Sequence, residues 1–299
     1  MVLEDCQVVF NNYKGYFYSG DIVTGSVIFG LKHSGVVKGL VLNVKGTSKA
    51  RWTRPMPTMP HIKVYSEKIE VLRLDISIDT QVNTLVSKSL SIPFHFILPR
   101  NIPSSFQDSI AKTHYRVIIK TTKICKIMQK RVFPFIVVAH LNLNHCEYTF
   151  YNEKYLYELS KSFGKCKQYQ LRIKTYNGIG SNQRAIPFEA YITNEKRIKV
   201  SKIVISLLQK LEYTVTSGYY NAEKKIHEFF LKDFKNDLEE TCKLLIDIPP
   251  VVPSTINLER TLIKISYVYK VITVFFRFHF SMTMEIPVVI GSTPVIFTK

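Results

Sequence analysis

No apolar run in the sequence approaches the ~20 residues that a membrane-spanning helix requires. The longest, "VFPFIVVA" at 132–139, is about eight. The start, "MVLEDCQVVF", carries two acids where a secretory signal has a basic stretch and an apolar block, so export is not expected. N-x-Ser/Thr sequons are also lacking. The five cysteines (Cys6, Cys125, Cys146, Cys166 and Cys242) are odd in number, widely spaced and form no C-x-x-C pair. A zinc site or disulfide framework needs tighter spacing or even pairing, so reduced cytosolic thiols are the expectation. His140 and His145 would face opposite ways on a strand, whereas a tetrahedral metal needs convergent ligands. No Ser-His-Asp, Cys-His or paired-carboxylate grouping stands out, and neither G-x-x-x-x-G-K-[ST] nor G-x-G-x-x-G occurs. These absences leave no catalytic residue, cofactor or metal to assign, and they point away from an enzyme.

Acid is scarce as well. The chain has 23 Asp+Glu against 41 Lys+Arg, a net +18, and residues 101–200 hold 17 of the bases and only 6 of the acids. Such a surface favours polyanions, whether phosphorylated tails, acidic lipid headgroups or nucleic acid.

What is present reads with period two. In "HYRVIIK" (114–120) Tyr115, Val117 and Ile119 alternate with His114, Arg116 and Lys120. In "SKIVISLLQKLEY" (201–213) Ile203, Ile205 and Leu207 point one way. Long alternating strands between Gly, Pro and Asn turns predict an all-β chain. At 299 residues, two domains are the prior. "NEKYLYELSKSFGK" (152–165) reads as an interdomain linker. "EKKIHEFFLKDFKNDLEE" (223–240) spaces Ile226, Phe229, Phe230, Phe234 and Leu238 as an amphipathic helix would, with an irregular edge region as the competing reading. A faint repeat relates "VTGSVIF" plus "VKGLVLNVKG" (from 23) to "IPFEAYI" plus "VSKIVISLLQ" (from 186), and "SIPFHFILP" (91–99) echoes "EIPVVIGSTP" (285–294). Two copies of one β-sandwich is the economical reading.

Six stretches, in order, resemble the arrestin-domain family, most like its alpha-arrestin branch. They are "FNNYKGYFYSGDIVTGSV" from Phe10, "VKGLVLNVKGTSKARW" ending at Trp52, "SIPFHFILPRNIPSSF" ending at Phe106, "IPFEAYITNEKRIKV", "LIDIPPVVPSTI" and "MEIPVVIGSTP". The resemblance implies two tandem immunoglobulin-like β-sandwiches, over 1–147 and 166–299, joined by a short linker over 148–165. It also implies a non-enzymatic, cytoplasmic adaptor, recruited to plasma membrane or endosomes. Such an adaptor grips cytoplasmic tails of membrane receptors or transporters and directs their trafficking, endocytosis or signalling. Ile110-Ala111-Lys112 stands where the family usually has a Gly. Nothing matches the buried charged cluster by which visual and beta-arrestins sense receptor phosphates. Pro249-Pro250-Val251-Val252 is the only Pro-Pro pair and lacks the Tyr of a PPxY motif, so docking of WW-domain ubiquitin ligases is not carried over. The closing "EIPVVIGSTPVIFTK" reads as the last strand of the second sandwich.

The densest basic stretch, "AKTHYRVIIKTTKICKIMQKR" (111–131), holds seven cations and no acid. On a strand Lys112, His114, Arg116 and Lys120 share one face, and with Lys123 they form a candidate site for an anionic peptide. A solvated strand and hairpin that discourages edge aggregation is the plain alternative. Lys196, Arg197, Lys199 and Lys202 form a second cluster, at a turn. "RWTRPMPTMPHIK" (51–63) must be a loop or sheet edge because of its prolines. Its Arg54, Met56 and Met59 are a candidate partner loop, or pack on their own domain. A general polyanion binder is the rival reading, with acidic lipids as a second candidate partner. Nucleic acid is not expected, since the aromatic-with-basic pattern of single-strand platforms and a base-reading helix are both missing. A coat subunit resembling retromer's arrestin-like component is a third possibility.

Overall fold

The computed structural model describes residues 6–30, 41–55, 62–77, 89–122, 128–162, 168–195, 197–231, 234–256, 258, 260–276 and 281–297. Its strands in the first half are β1 (Cys6–Phe10), β2 (Phe17–Tyr18), β3 (Ile22–Gly30), β4 (Val41–Pro55), β5 (Ile62–Ser77), β6 (Ser89–Ile97), β7 (Phe106–Gln107), β8 (Ala111–Thr122), β9 (Met128–Phe135) and β10 (Val137–Val138). A short 3-10 turn, Cys146–Asn152, precedes β11 (Lys154–Ser162), β12 (Gln168–Tyr176), β13 (Gly178–Gly180), β14 (Ile186–Asn194), β15 (Val200–Val215), β16 (Gly218–Leu231), β17 (Glu239–Ile246), β18 (Ile263–Phe275) and β19 (Ser281–Gly291). The chain divides into two compact units, one of residues 1–140 with 213–219 and 257–263, the other of the remainder. No helix among the described residues is long and apolar enough to cross a membrane.

The first unit is a sandwich of two antiparallel sheets. One has the order β1-β3-β6. The other runs β5-β4-β8-β7, with β9 also paired to β8. Alternation dictates the layering: Val23, Val27 and Phe29 of β3 and Phe94 and Phe96 of β6 meet Leu42 and Val44 of β4 and Tyr115, Val117 and Ile119 of β8 in one buried cluster. Phe96 faces Phe135 of β9 across the sheets at 6.3 Å between ring centroids. Each such burial stabilises by roughly 1.5–3 kcal/mol. The Tyr115 hydroxyl, buried with its ring, donates to the Pro103 carbonyl at 2.6 Å, so the loop before β7 is tied into the core.

The second unit stacks β11-β12-β14-β17 on β13-β19-β18-β15-β16. β14 is buried at every second residue. Phe188 meets Tyr269 at 5.9 Å and Tyr169 meets Phe275 at 5.0 Å, both edge-on, which joins the two sheets. The two units repeat one topology. β14 lies between β12 and β17 as β3 lies between β1 and β6, and β15 lies between β16 and β18 as β4 lies between β5 and β8. The repeat read from residues 23 and 186 therefore marks equivalent strands. The echo between 91–99 and 285–294 does not: the first is β6, paired with β3, and the second is β19, paired with β18. Ile-Pro before an apolar strand is too generic to define a register. A better match lies in two loops, "LPRNIPSS" (98–105) and "IPPVVPST" (248–255), where Ser105 of the first and Ser254 of the second, one position apart in these strings, make the same pair of bonds. In the first, Ser105 donates its N–H to Val137 O at 2.7 Å and accepts from Val137 N at 3.0 Å on Oγ. In the second, Ser254 does the same with Ile290 at 2.8 and 2.9 Å.

Two further expectations are overturned. Residues 154–162, placed in the linker, form β11, which pairs over its whole length with β12. Polar residues at alternate positions concealed a period of two. Of the stretch 223–240 expected as an amphipathic helix, residues 223–231 belong to β16 and residues 239–240 to β17. Apolar residues at 226, 229 and 230 satisfy a helical spacing, but pairing with β15 satisfies the backbone of a 14-residue strand.

Candidate anion-binding face

β8 is a strand because its β-branched and aromatic residues bury one side, with Tyr115, Val117 and Ile119 all 0% exposed. The opposite side presents Lys112, exposed, and His114, Arg116 and Lys120, half-buried. Register then decides what lies beside them. Across β8, β4 and β5, Lys112 stands opposite Lys49 and Lys49 opposite Lys68. In the next row His114 faces Thr47, and Thr47 faces Glu70. In the row after that Arg116 faces Lys45, and Lys45 faces Arg73. Beyond it, Asn43 donates a hydrogen bond to the Asp75 carboxylate.

Directly opposed like charges destabilise a sheet, so compensation matters. The Arg116 row is partly compensated: Lys45 lies 3.7 Å and Arg73 3.9 Å from Glu70, and Arg73 lies 3.3 Å from Asp75. The Lys112, Lys49 and Lys68 row has no ion pair among the described residues. Lys120 faces Lys130 of β9. In the second unit the outer face of β11-β12-β14-β17 looks different, because Lys174 lies between Leu156 and Glu189, Glu189 faces Lys243, and Lys154 reaches Glu189 at 3.1 Å. Cation and anion alternate there as on an ordinary solvated face. They do not on the first unit.

Two polar atoms on the basic face are buried without a hydrogen-bond partner, Nδ1 of His114 and Nε of Arg116. Burial, then Arg116, Lys112 and Lys68, push the His114 imidazole below its ordinary value, so it is neutral at neutral pH. The face is thus a field of fixed cations around one uncharged, titratable ring.

The structure puts Lys112, His114, Arg116 and Lys120 on one side of β8, with the buried Ile118 and its neighbours Asn43 and Asp75 setting Lys120 apart from Arg116, while Lys123 lies outside the described residues. It adds Lys45, Lys49, Lys68 and Arg73, which sequence reasoning missed. Lys45 and Lys49 share a parity in "VKGTSKARW" that could have flagged a basic strand face, but nothing in sequence places it beside β8. Of the candidate partner loop, Met56 and Met59 lie outside the described residues. Arg54 is exposed, with its guanidinium 5.7 Å from the Tyr65 ring centre and its Nη2 donating to the Tyr219 carbonyl at 2.7 Å. Lys63 lies over the same ring at 4.9 Å, and Trp52 stacks on it at 5.4 Å. In the second cluster Lys196 is not described. Arg197 sits at φ 46°, Lys199 over Phe276 at 4.8 Å and Lys202 over Phe230 at 5.7 Å. Among the described residues no three His, Cys, Asp or Glu are grouped to hold a metal ion.

Residues 6–144 match the model of the arrestin N-terminal domain, and residues 179–295 match that of the arrestin (S-antigen) C-terminal domain. Arrestin domain-containing protein 17 of Caenorhabditis elegans is 23% identical over 150 residues, covering 46% of this chain and 33% of that protein. The matched region spans about a third of the length of that relative. The chain belongs to the arrestin family, on two successive domain matches and a tandem all-β sandwich fold. Arrestins as a family are non-enzymatic adaptors in trafficking and signalling.

Proposed function

We propose that the chain is a cytoplasmic adaptor that binds cytoplasmic tails of membrane receptors or transporters through the outer face of β4, β5 and β8, and so directs their trafficking, endocytosis or signalling at plasma membrane or endosomes. The observation that carries this is the uncompensated row Lys112, Lys49, Lys68. Three opposed lysines cost folding stability, and an anionic segment laid across them recovers it while making charge-assisted hydrogen bonds. The Arg116, Lys45, Arg73 row alongside extends the field.

The test is capture of phosphorylated and unphosphorylated receptor-tail peptides by the full chain at low salt. The phosphorylated tail should be retained, and the double substitution Lys49→Glu with Lys112→Glu should reduce retention at least tenfold. Equal and poor retention of both tails would overturn the reading. Capture of any polyanion, nucleic acid included, with no preference for peptide would favour the general polyanion binder instead.

A further inference from the structure

His114 stands at the centre of the basic face, two residues from Lys112 and two from Arg116 on β8. That places each about 7 Å away along the strand on the same side. From β4 the charged neighbours are Lys45 and Lys49, on either side of Thr47, which His114 faces. From β5 they are Lys68, Glu70 and Arg73. β7 contributes Phe106 and Gln107, and β9 contributes Pro134 opposite Arg116, so neither brings a charge to this row. Lys130 of β9 stands opposite Lys120, further along the strand. Cations outnumber the one acid, and Glu70 is already within 4 Å of Lys45 and Arg73. A protonated imidazole here meets like charge, and its Nδ1–H would be buried without an acceptor. An oxyanion laid against Lys49, Lys112 and Arg116 removes the first obstacle by screening the cations, and it removes the second once the imidazole ring turns its buried Nδ1 outward to meet the anion's lone pairs.

We infer that docking of an anionic peptide on Lys49, Lys112 and Arg116 takes up a proton at His114, so that this face holds its partner more tightly in mildly acidic than in neutral solution. The inference rests on the reading of this face as the peptide site. It goes further by making occupancy of the site proton-linked. A narrow peptide is the occupant that the charges fit, since the uncompensated row is one residue wide and is followed along β5 by Glu70 in the next row and Asp75 three rows on, where a uniformly anionic membrane plane would be repelled. The lowered imidazole pKa agrees with the direction: an imidazole held neutral in the free protein gains affinity for a proton when an anion arrives. Linkage is reciprocal, so the proton raises peptide affinity by the same factor that the peptide raises proton affinity, about tenfold for each unit of pKa.

The test uses a tyrosine-sulfated peptide, whose sulfate ester does not titrate between pH 5.5 and 8, with the full chain at constant ionic strength. Affinity is measured by fluorescence anisotropy across that range, while the His114 imidazole is followed by NMR with and without peptide. The expected result is several-fold tighter binding in acid, a matching rise in the His114 pKa on binding, and a flat pH profile for His114→Gln. The wild-type NMR titration decides the matter by itself should the variant fold poorly. Peptide binding that is flat with pH, or a pH dependence that survives in His114→Gln, overturns the proton linkage and leaves the tail-binding reading standing. Failure to bind the peptide at any pH overturns both. Vesicles of phosphatidylserine and phosphatidylcholine that bind with the His114-dependent profile, where the peptide does not bind, would overturn the choice of a peptide partner.

Discussion

His114 sits among cations that hold its imidazole neutral, at a cost to the fold in acid. Its folded-state pKa lies below the unfolded reference of 6.5, through burial, Arg116, Lys112 and Lys68, so the unfolded chain binds the extra proton. Stability is then fully present above pH 6.5 and is lost as the pH falls towards the folded-state value. Thermal melts should therefore show a steeper loss between pH 7.5 and 5.5 for the wild type than for His114→Gln, and parallel profiles would contradict this. Gly46 gives a second residue-scale expectation. A Cβ there would come within 2.5 Å of the Tyr115 ring and 2.9 Å of Leu72 Cβ, and Tyr115 is locked by its bond to Pro103. Gly46→Ala should cost about 1–3 kcal/mol, read as a lower denaturation midpoint, because the packed core cannot yield. An unchanged midpoint would mean that Tyr115 has room to move.

At the scale of the element, the β4, β5 and β8 rows set like charges against one another, and the proposed binding would draw on them. Lys49 is the middle of three opposed lysines, so Lys49→Glu converts two repulsions into two cross-strand attractions. We expect stability to rise by roughly 0.2–1 kcal/mol while capture of an anionic tail falls. A variant that loses both stability and binding would assign Lys49 a structural role and weaken the case for the face. Strand-level features were legible unevenly. The inward residues of β8 and β15 followed from alternation, as did the shared side of Lys112, His114 and Arg116. β11 was missed because Glu158, Ser160 and Lys161 gave a hydrophobic-periodicity reading no signal. β16 was misread because Ile226, Phe229 and Phe230 keep a helical spacing and break a period of two, and only the neighbouring β15 supplies the partners that make the segment a strand.

Across the whole molecule, two copies of one sandwich topology carry opposite surface logic. In the second unit the counterpart of β4, β5 and β8 is β15, β16 and β18, where Lys210 of β15 pairs with Glu223 of β16 and Glu285 of β19, and Lys264 of β18 pairs with Glu212 of β15. The outer face of β4, β5 and β8 concentrates charge of one sign. The net +18 declared an interest in anions without locating it. The family resemblance, the all-β class, the doubled topology and the basic strand were all determined by the sequence, because period-two burial and local charge are properties of neighbours along the chain. Which strands lie side by side was decided only in three dimensions. Lys49 and Lys68 meet Lys112 across 63 and 44 residues of sequence through hydrogen-bonded register, and only that pairing sets the three lysines in one row.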